Sequence, residues 1–269
     1  MSGEQDVEQY KDRVVEGMEM LYGKGFLSPG GAPEVALMLE GVDLSGLSVL
    51  DLGCGLGGAT LMLARDHNAG HVTGIDVETD SLERARVAVE AAGVAGLVTL
   101  RHVTPGPMPF GGGEFDVVFC KDVVCHMTDK AAFLTEPYRV LKPGGRLICA
   151  DFFEGMGDDG SHAGADDFAG YVRETVNYGL TFHFEPQAVY DQGLRAAGFV
   201  DLEFIDHNGP STEISRRDLQ RLAGPEGEKI QGLLGDDIFA ARVRASRFRN
   251  AALESGGLQH FHMRARRPE

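Results

Sequence analysis

Three groups of residues have types and spacing suited to chemistry. The first is the segment VLDLGCGLGG, Val49 to Gly58, an apolar run that ends in Asp51 and passes through alternate glycines at Gly53, Gly55 and Gly57. Glycines there let the backbone adopt positive φ and approach a ligand closely, and a following helix turns unpaired N–H groups toward it. The second is Asp76, 25 residues beyond Asp51 and at the end of the next strand-like run. A carboxylate in that place can accept both hydroxyls of a ribose. The third is KDVVCHM, Lys121 to Met127, in which Asp122 and His126 follow another apolar run. An imidazole gains and loses a proton near neutrality and suits proton transfer.

A glycine-rich strand–turn–helix alone is ambiguous between a dinucleotide and other nucleoside cofactors. Asp51 directly before the loop would repel a pyrophosphate and attract an ammonium group. One acid for an amine and one for a ribose fit S-adenosylmethionine better than NAD. Its sulfonium is an activated methyl donor, so the protein has to align a nucleophile in line with the methyl–sulfur bond. An amine nucleophile arrives protonated, and a histidine, directly or through a tyrosine or water, can take its proton. Aromatic faces attract the charged centre that methylation creates, and Phe152, Tyr178, Phe182 and Phe184 are candidates.

The elements that must position these groups alternate. Helical periodicity covers 6–22, a helix follows the turn at Ser28-Pro29-Gly30-Gly31 through Met38, and strand-like runs cover 47–52, 72–77, 98–103 and 115–121. Helices are expected at 59–67, 81–92 and 130–141. Lys142-Pro143-Gly144-Gly145 is expected to break the last of these before a strand at 146–153. This order predicts a mostly parallel α/β sheet with helices on both faces. Beyond it, 154–165 reads as a mobile loop, 166–178 and 186–197 as helices, 199–207 as a strand, 211–255 as polar helix with glycine interruptions, and 258–266 as a closing strand. Two successive strands at the end predict an antiparallel pair. The expected organisation is an N-terminal helical lid at 1–44 and one enzymatic domain at 45–269, with a cap insertion around 208–256 over the strand ends.

DLGCGLGG, GIDVE, the apolar run ending at Asp122, and VLKPGGRLICADFF together resemble class I S-adenosylmethionine-dependent methyltransferases, from Ser45 to Phe153. The resemblance implies a Rossmann-like seven-stranded sheet with the last strand antiparallel. It also implies that Asp51 and the loop glycines line the methionine portion of the cofactor and that Asp76 holds the ribose. Members often carry an acid after the third strand for the adenine amine; here the stretch is His102-Val103-Thr104-Pro105, and Thr104 takes that place.

More narrowly, YKDRVVEGMEMLYGKGFLSPGG at Tyr10 to Gly31 and KDVVCHM are similar to the phosphoethanolamine N-methyltransferases, and more loosely to the glycine, sarcosine and dimethylglycine N-methyltransferases. That likeness implies a catalytic pair at Tyr10 and His126, with Asp122 and Ser28 matching further site positions. The phosphate-binding positions depart from the pattern. Phe152 stands where the family has a tyrosine, and Thr175 and Asn177 stand where it has an arginine and a tyrosine, with Tyr178 one place off. A cap lysine would be replaced by Arg242, Arg244, Arg247 or Arg249. Losing an arginine that would clamp a dianion bidentately is a serious loss, so an acceptor without phosphate stays open. The expected function is N-methylation of a small polar amine, a phosphobase or an amino acid, with His126 and Tyr10 assisting deprotonation. The alternative is a natural-product O-, C- or S-methyltransferase acting on a more apolar small molecule.

Composition narrows the partners. Lys plus Arg number 25 against 41 Asp plus Glu, a net charge of −16, which disfavours nucleic acid. No apolar run reaches the roughly 18 residues of a membrane helix, and the charged N-terminus lacks a signal-peptide core, so a cytoplasmic protein is expected. A homo-oligomer is left open. The basic series Arg242 to Arg249 reads as a solvated helix face. The four cysteines read as reduced, mostly buried thiols. No metal site is expected, because His260 and His262 share a strand face but no third ligand stands near them in the sequence.

Overall fold

The structure, a computed structural model, describes every residue except Met1, 158–159 and 177–180, with residues 2–11 described as backbone only. The chain divides into two compact units. The sheet unit comprises Ala32–Phe153, His183–His207 and His260–Glu269, and the helical unit comprises Met1–Gly31, Glu154–Phe182 and Asn208–Gln259.

The strands are β1 (Ser48–Leu52), β2 (His71–Asp76), β3 (Val98–His102), β4 (Phe115–Lys121), β5 (Leu141–Glu154), β6 (Val200–Asp206) and β7 (Leu258–Arg266). They form one seven-stranded sheet in the order β3-β2-β1-β4-β5-β7-β6. The β1, β2, β3, β4 and β5 pairings are parallel, and β6 pairs antiparallel with β7. This is the Rossmann-like methyltransferase sheet that the sequence predicts. Its strands can be so apolar because both faces are covered: Val49, Val117, Val118 and Phe119 are fully buried. One face packs on α5 (Lys130–Val140) and α7 (Gln187–Ala197), where Leu134, Tyr190 and Leu194 meet Phe153, Phe261 and Met263. Odd-numbered residues of β7 point into that core, and even-numbered ones point to the face that carries α2 (Gly31–Met38), as Arg264 donating to the Met38 carbonyl shows.

Two boundaries differ from the sequence expectation. Strand β5 begins at Leu141, before Lys142-Pro143-Gly144-Gly145 rather than after it, and the pairing with β4 shifts register between Phe115 and Val117. Gly144 at φ 75° absorbs the irregularity, so the glycines make a bulge and not a break. The helix after the glycine loop is short, α3 (Gly58–Leu61), and continues as a π-helical stretch over Met62–Asp66.

The helical unit consists of α1 (Ser2–Tyr22), α6 (Ala165–Val176), α8 (Asn208–Leu222), α9 (Pro225–Leu234) and α10 (Asp236–Glu254). Gly170 on α6 lies where any side chain would overlap Phe248 on α10, which lets those two helices approach closely. Arg249 corrects the reading of a solvated basic face. It is 4% exposed and donates to Asp218 at 2.6 Å, Ser215 at 3.3 Å and the Tyr22 hydroxyl at 3.2 Å. A helical repeat marks which residues share a face but not which acid waits opposite it. No helix among the described residues is long and apolar enough to cross a membrane.

Candidate active site

The chain runs from β1 to β2 and β3 on one side and then crosses to β4 on the other side of β1, and the crevice beyond the carboxyl ends at such a switch point is where open α/β sheets take ligands. The glycine loop occupies that place. Gly53, Gly55 and Gly57 have φ of 74°, 51° and 84°, in the region closed to ordinary L residues. A methyl group at Gly53 would overlap Val123, and one at Gly57 would stand 3.1 Å from Ala85 Cβ. The loop is therefore pressed between the turn after β4 and α4 (Thr79–Ala91). The Gly53 and Cys54 N–H groups donate to the Ile75 carbonyl at 2.9 and 3.0 Å and tie it to β2.

Asp76 ends β2 and is held by the backbone on both oxygens, accepting from Gly55 at 2.8 Å and Glu78 at 2.9 Å. Its orientation is fixed by these bonds, and a carboxylate has acceptor capacity left for hydroxyl donors. Asp51 is 2% exposed and accepts from the Thr60 hydroxyl at 2.5 Å. Burial, with a smaller push from the Asp76 charge and against the Thr60 bond, raises its carboxyl to about 7. Thr104 lies exposed in the loop after β3, whose preceding residue Val103 donates to the Asp76 carbonyl at 3.0 Å.

Asp122 follows β4 at φ 56°, a left-handed conformation uncommon outside glycine and asparagine. Its N–H donates to Ala150 at 2.9 Å, and one carboxylate oxygen accepts from the Lys121 ammonium. The next residues form a single 3-10 turn, Val124–His126, which leaves His126 half-buried at its end, its N–H donating to the Val123 carbonyl at 3.1 Å. Phe152 is 8% exposed and stacks on His260, with ring centroids 4.4 Å apart, so one of its faces is already covered. Phe184 is buried in the same unit.

The sheet unit thus gathers Asp51, Gly53, Gly55, Gly57, Asp76, Thr104, Asp122, His126 and Phe152. Ser28, Thr175 and Phe182 belong to the helical unit. Thr175 is 4% exposed and spends its hydroxyl on the Val172 carbonyl at 2.8 Å. Tyr178 and the side chain of Tyr10 lie outside the described residues. Two of the arginines considered for an anion are engaged with acids, Arg249 with Asp218 and Arg244 with Glu174 at 3.1 Å.

Sequence reasoning missed four residues. Asp151 is fully buried behind the His126 turn, accepting from the Cys125 N–H at 3.0 Å and from the Phe152 N–H at 2.8 Å. Burial first, then the Asp122 charge, pushes its carboxyl up to about 7. A lone acid inside the apolar run ICADFF was the available signal. Lys130 is 3% exposed and donates to Met127 at 2.5 Å and to the His183 carbonyl, which fixes the end of the same turn. Glu34 and His207 are the other two. They stand beside His260 and His262 on the α2 face, and nothing local in the sequence announces it. All four cysteines are buried, and burial pushes the Cys125 thiol well up, so it is no nucleophile.

Comparison with known proteins agrees with this geometry. Residues 50–149 match the family described as "Methyltransferase domain". The chain is 29% identical to phosphoethanolamine N-methyltransferase 1 of Arabidopsis thaliana over 85% of its own length and 44% of the relative's, and 30% identical to the Triticum aestivum phosphoethanolamine N-methyltransferase over 78% and 39%. It spans less than half the length of these curated relatives. Among solved structures, phosphoethanolamine N-methyltransferase 2 of Haemonchus contortus, in complex with phosphomonomethylethanolamine and S-adenosylhomocysteine, superposes with a TM-score of 0.85 at 23% identity, covering 98% of this chain and 59% of that one. At that identity the likeness shows the fold. Residues 50–149 thus match a methyltransferase domain, and the chain resembles the phosphoethanolamine N-methyltransferases.

Proposed function

We propose that this chain, with its class I methyltransferase domain, transfers a methyl group from S-adenosylmethionine to the nitrogen of a small polar amine. The observation that carries the reading is the glycine cradle between Asp51 and the doubly anchored Asp76, opening beside Asp122 and His126. The residues fit the cofactor. A side chain at Gly53 would fill the cradle, and Asp76 is oriented by two backbone N–H groups toward donors such as ribose hydroxyls. When bound, S-adenosylmethionine supplies a methyl group activated as a sulfonium.

The chain's own residues do the rest. Asp76 orients the ribose, and Asp51 holds the amino-acid portion. Thr104 borders the adenine side. His126 takes the proton that an ammonium acceptor must lose before its lone pair can attack, and Asp122 lines the approach. Tyr10 enters through the family likeness, as a partner to His126. Arg249 and Arg244 are committed to Asp218 and Glu174, and Thr175 replaces a clamp arginine. These features favour an amine without phosphate, such as an amino acid, over a phosphobase.

The test is methyl transfer from isotopically labelled S-adenosylmethionine into a panel of phosphoethanolamine, its methylated forms, glycine, sarcosine and dimethylglycine, read by mass spectrometry. Label in one of the amines supports the reading. Label confined to a larger apolar compound, when a cell extract is supplied, overturns the amine assignment.

A further inference from the structure

On the α2 face of the sheet, three side chains distant in sequence converge. Glu34 comes from α2, His207 from the residue after β6, and His262 from β7. Glu34 is 1% exposed, His207 7% and His262 5%. One ligand atom from each, a carboxylate oxygen and two imidazole nitrogens, lies within 4.8 Å of the others. We propose that Glu34, His207 and His262 bind one divalent first-row transition-metal ion.

Hydrogen bonding accounts for only part of the cluster. His262 Nε2 and Glu34 Oε1 are hydrogen-bonded at 2.5 Å. His207 Nε2 is buried, points at the other carboxylate oxygen from 3.6 Å, and makes no hydrogen bond among the described residues. A buried imidazole nitrogen left without a partner forfeits the hydrogen bonds it would make to water. The same separation is the expected edge of a coordination shell. Ligands about 2.0–2.2 Å from an ion at tetrahedral angles lie about 3.3–3.6 Å apart. An ion entering between the three would displace the proton of the His262–Glu34 hydrogen bond to solvent and give His207 Nε2 its missing partner.

The backbone holds the donors in place. His207 N–H donates to the His260 carbonyl at 3.0 Å, and Ile205 pairs with His262 in the antiparallel ladder. These contacts set the His207 and His262 rings 4.1 Å apart. His260, on the same strand face, stands 3.7 Å from Glu34 and 3.9 Å from Asp122, as a neighbour between the cluster and the residue after β4.

The donor set selects the ion. Two imidazoles and one carboxylate suit zinc, iron(II), cobalt(II), nickel(II) or manganese(II), whereas magnesium and calcium take oxygen ligands. Three protein ligands leave a coordination position open to water or to an oxygen of a bound molecule.

The test uses untagged full-length protein, stripped with a chelator and titrated with cobalt(II). The expected result is one equivalent bound, with visible d–d absorption that zinc(II) abolishes and magnesium does not. Glu34→Gln, His207→Ala and His262→Ala are each expected to weaken cobalt binding by about 100-fold or more. His71→Ala, at a histidine in β2 paired with Thr99, is expected to leave it unchanged. Circular dichroism and S-adenosylmethionine binding check that the variants fold. Wild-type protein that takes up no stoichiometric cobalt, or binding that survives both histidine variants, overturns the proposal and leaves a metal-free hydrogen-bonded cluster. No acceptor or turnover enters the measurement, so its outcome is independent of the methyl-transfer reading.

Discussion

Asp51 and Glu34 are two almost fully buried carboxylates of the sheet unit, and their surroundings drive them in opposite directions. Asp51 has one hydroxyl partner, Thr60, and a like charge at Asp76. Burial dominates and lifts its carboxyl to about 7. Glu34 is buried as deeply, but the hydrogen bond from His262 and the nearby His260, His207 and Lys121 outweigh desolvation and hold it near 2. Burial alone does not fix the state of an acid; the groups facing it decide. The carboxyl end of β1, in the middle of the sheet, thus keeps a carboxyl poised to change state near neutrality beneath the glycine loop. The β6–β7 end keeps a permanent anion among imidazoles.

The glycine loop breaks most easily at Gly53. Gly53→Ala forces a side chain into Val123 at a positive φ, and a loss of about 2–4 kcal/mol in stability is expected. Cofactor affinity is expected to fall by about 100-fold with it, roughly 2.7 kcal/mol. Calorimetric titration and thermal melts read the two together, and a variant that binds like wild type would show that the cradle is not the cofactor site.

His126 sharpens the division between holding the cofactor and working on the acceptor. His126→Ala is expected to lower kcat by about 10²–10⁴-fold while cofactor affinity changes by less than about twofold. Equal loss of both would make His126 a structural residue.

The poised carboxyls predict a pH dependence. Asp51 and Asp151 have folded-state values near 7, above those of the unfolded chain, so the folded state retains protons that the unfolded state has already lost. Their contribution to stability is present at low pH and is lost as pH rises from about 4 to about 7, at up to about 1.4 kcal/mol per pH unit per group. Asp151→Asn should flatten that fall in melting temperature relative to wild type. Identical slopes would mean that Asp151 is ionised throughout.

The smallest expected effect is at Thr60. Thr60→Val keeps the volume but removes the hydrogen bond that the Thr60 hydroxyl donates to the buried Asp51 carboxylate, and costs about 1–3 kcal/mol above neutral pH. The cost should shrink in acid, where Asp51 is protonated; a cost independent of pH would point to packing.

The two regions also differ in how far the sequence discloses them. The glycine loop is local. Asp51, the loop and the following helix are contiguous, and Asp76 follows at the end of the next strand, so composition and spacing expose both the fold and the cofactor. The parallel sheet and its antiparallel finish were equally readable, because buried strands are continuous apolar runs. The β6–β7 end is assembled by topology. Glu34, His207 and His262 meet only because β7 inserts between β5 and β6 and α2 covers that face. From the sequence, His260 and His262 lacked a third ligand, and the structure supplies Glu34 and His207. The same reason hid the Arg249–Asp218 pair: periodicity gives faces, not what lies across from them.

The central claim is methyl transfer to nitrogen, and the most direct measurement is the carbon-13 NMR shift of the product methyl. The protein would be incubated with S-adenosylmethionine labelled at the methyl carbon and an equimolar pool of small amines. A new signal in the N-methyl region, absent with His126→Ala, is the predicted result. A methyl signal bound to oxygen, sulfur or carbon, or no transfer to any amine while cofactor binds, would contradict the account.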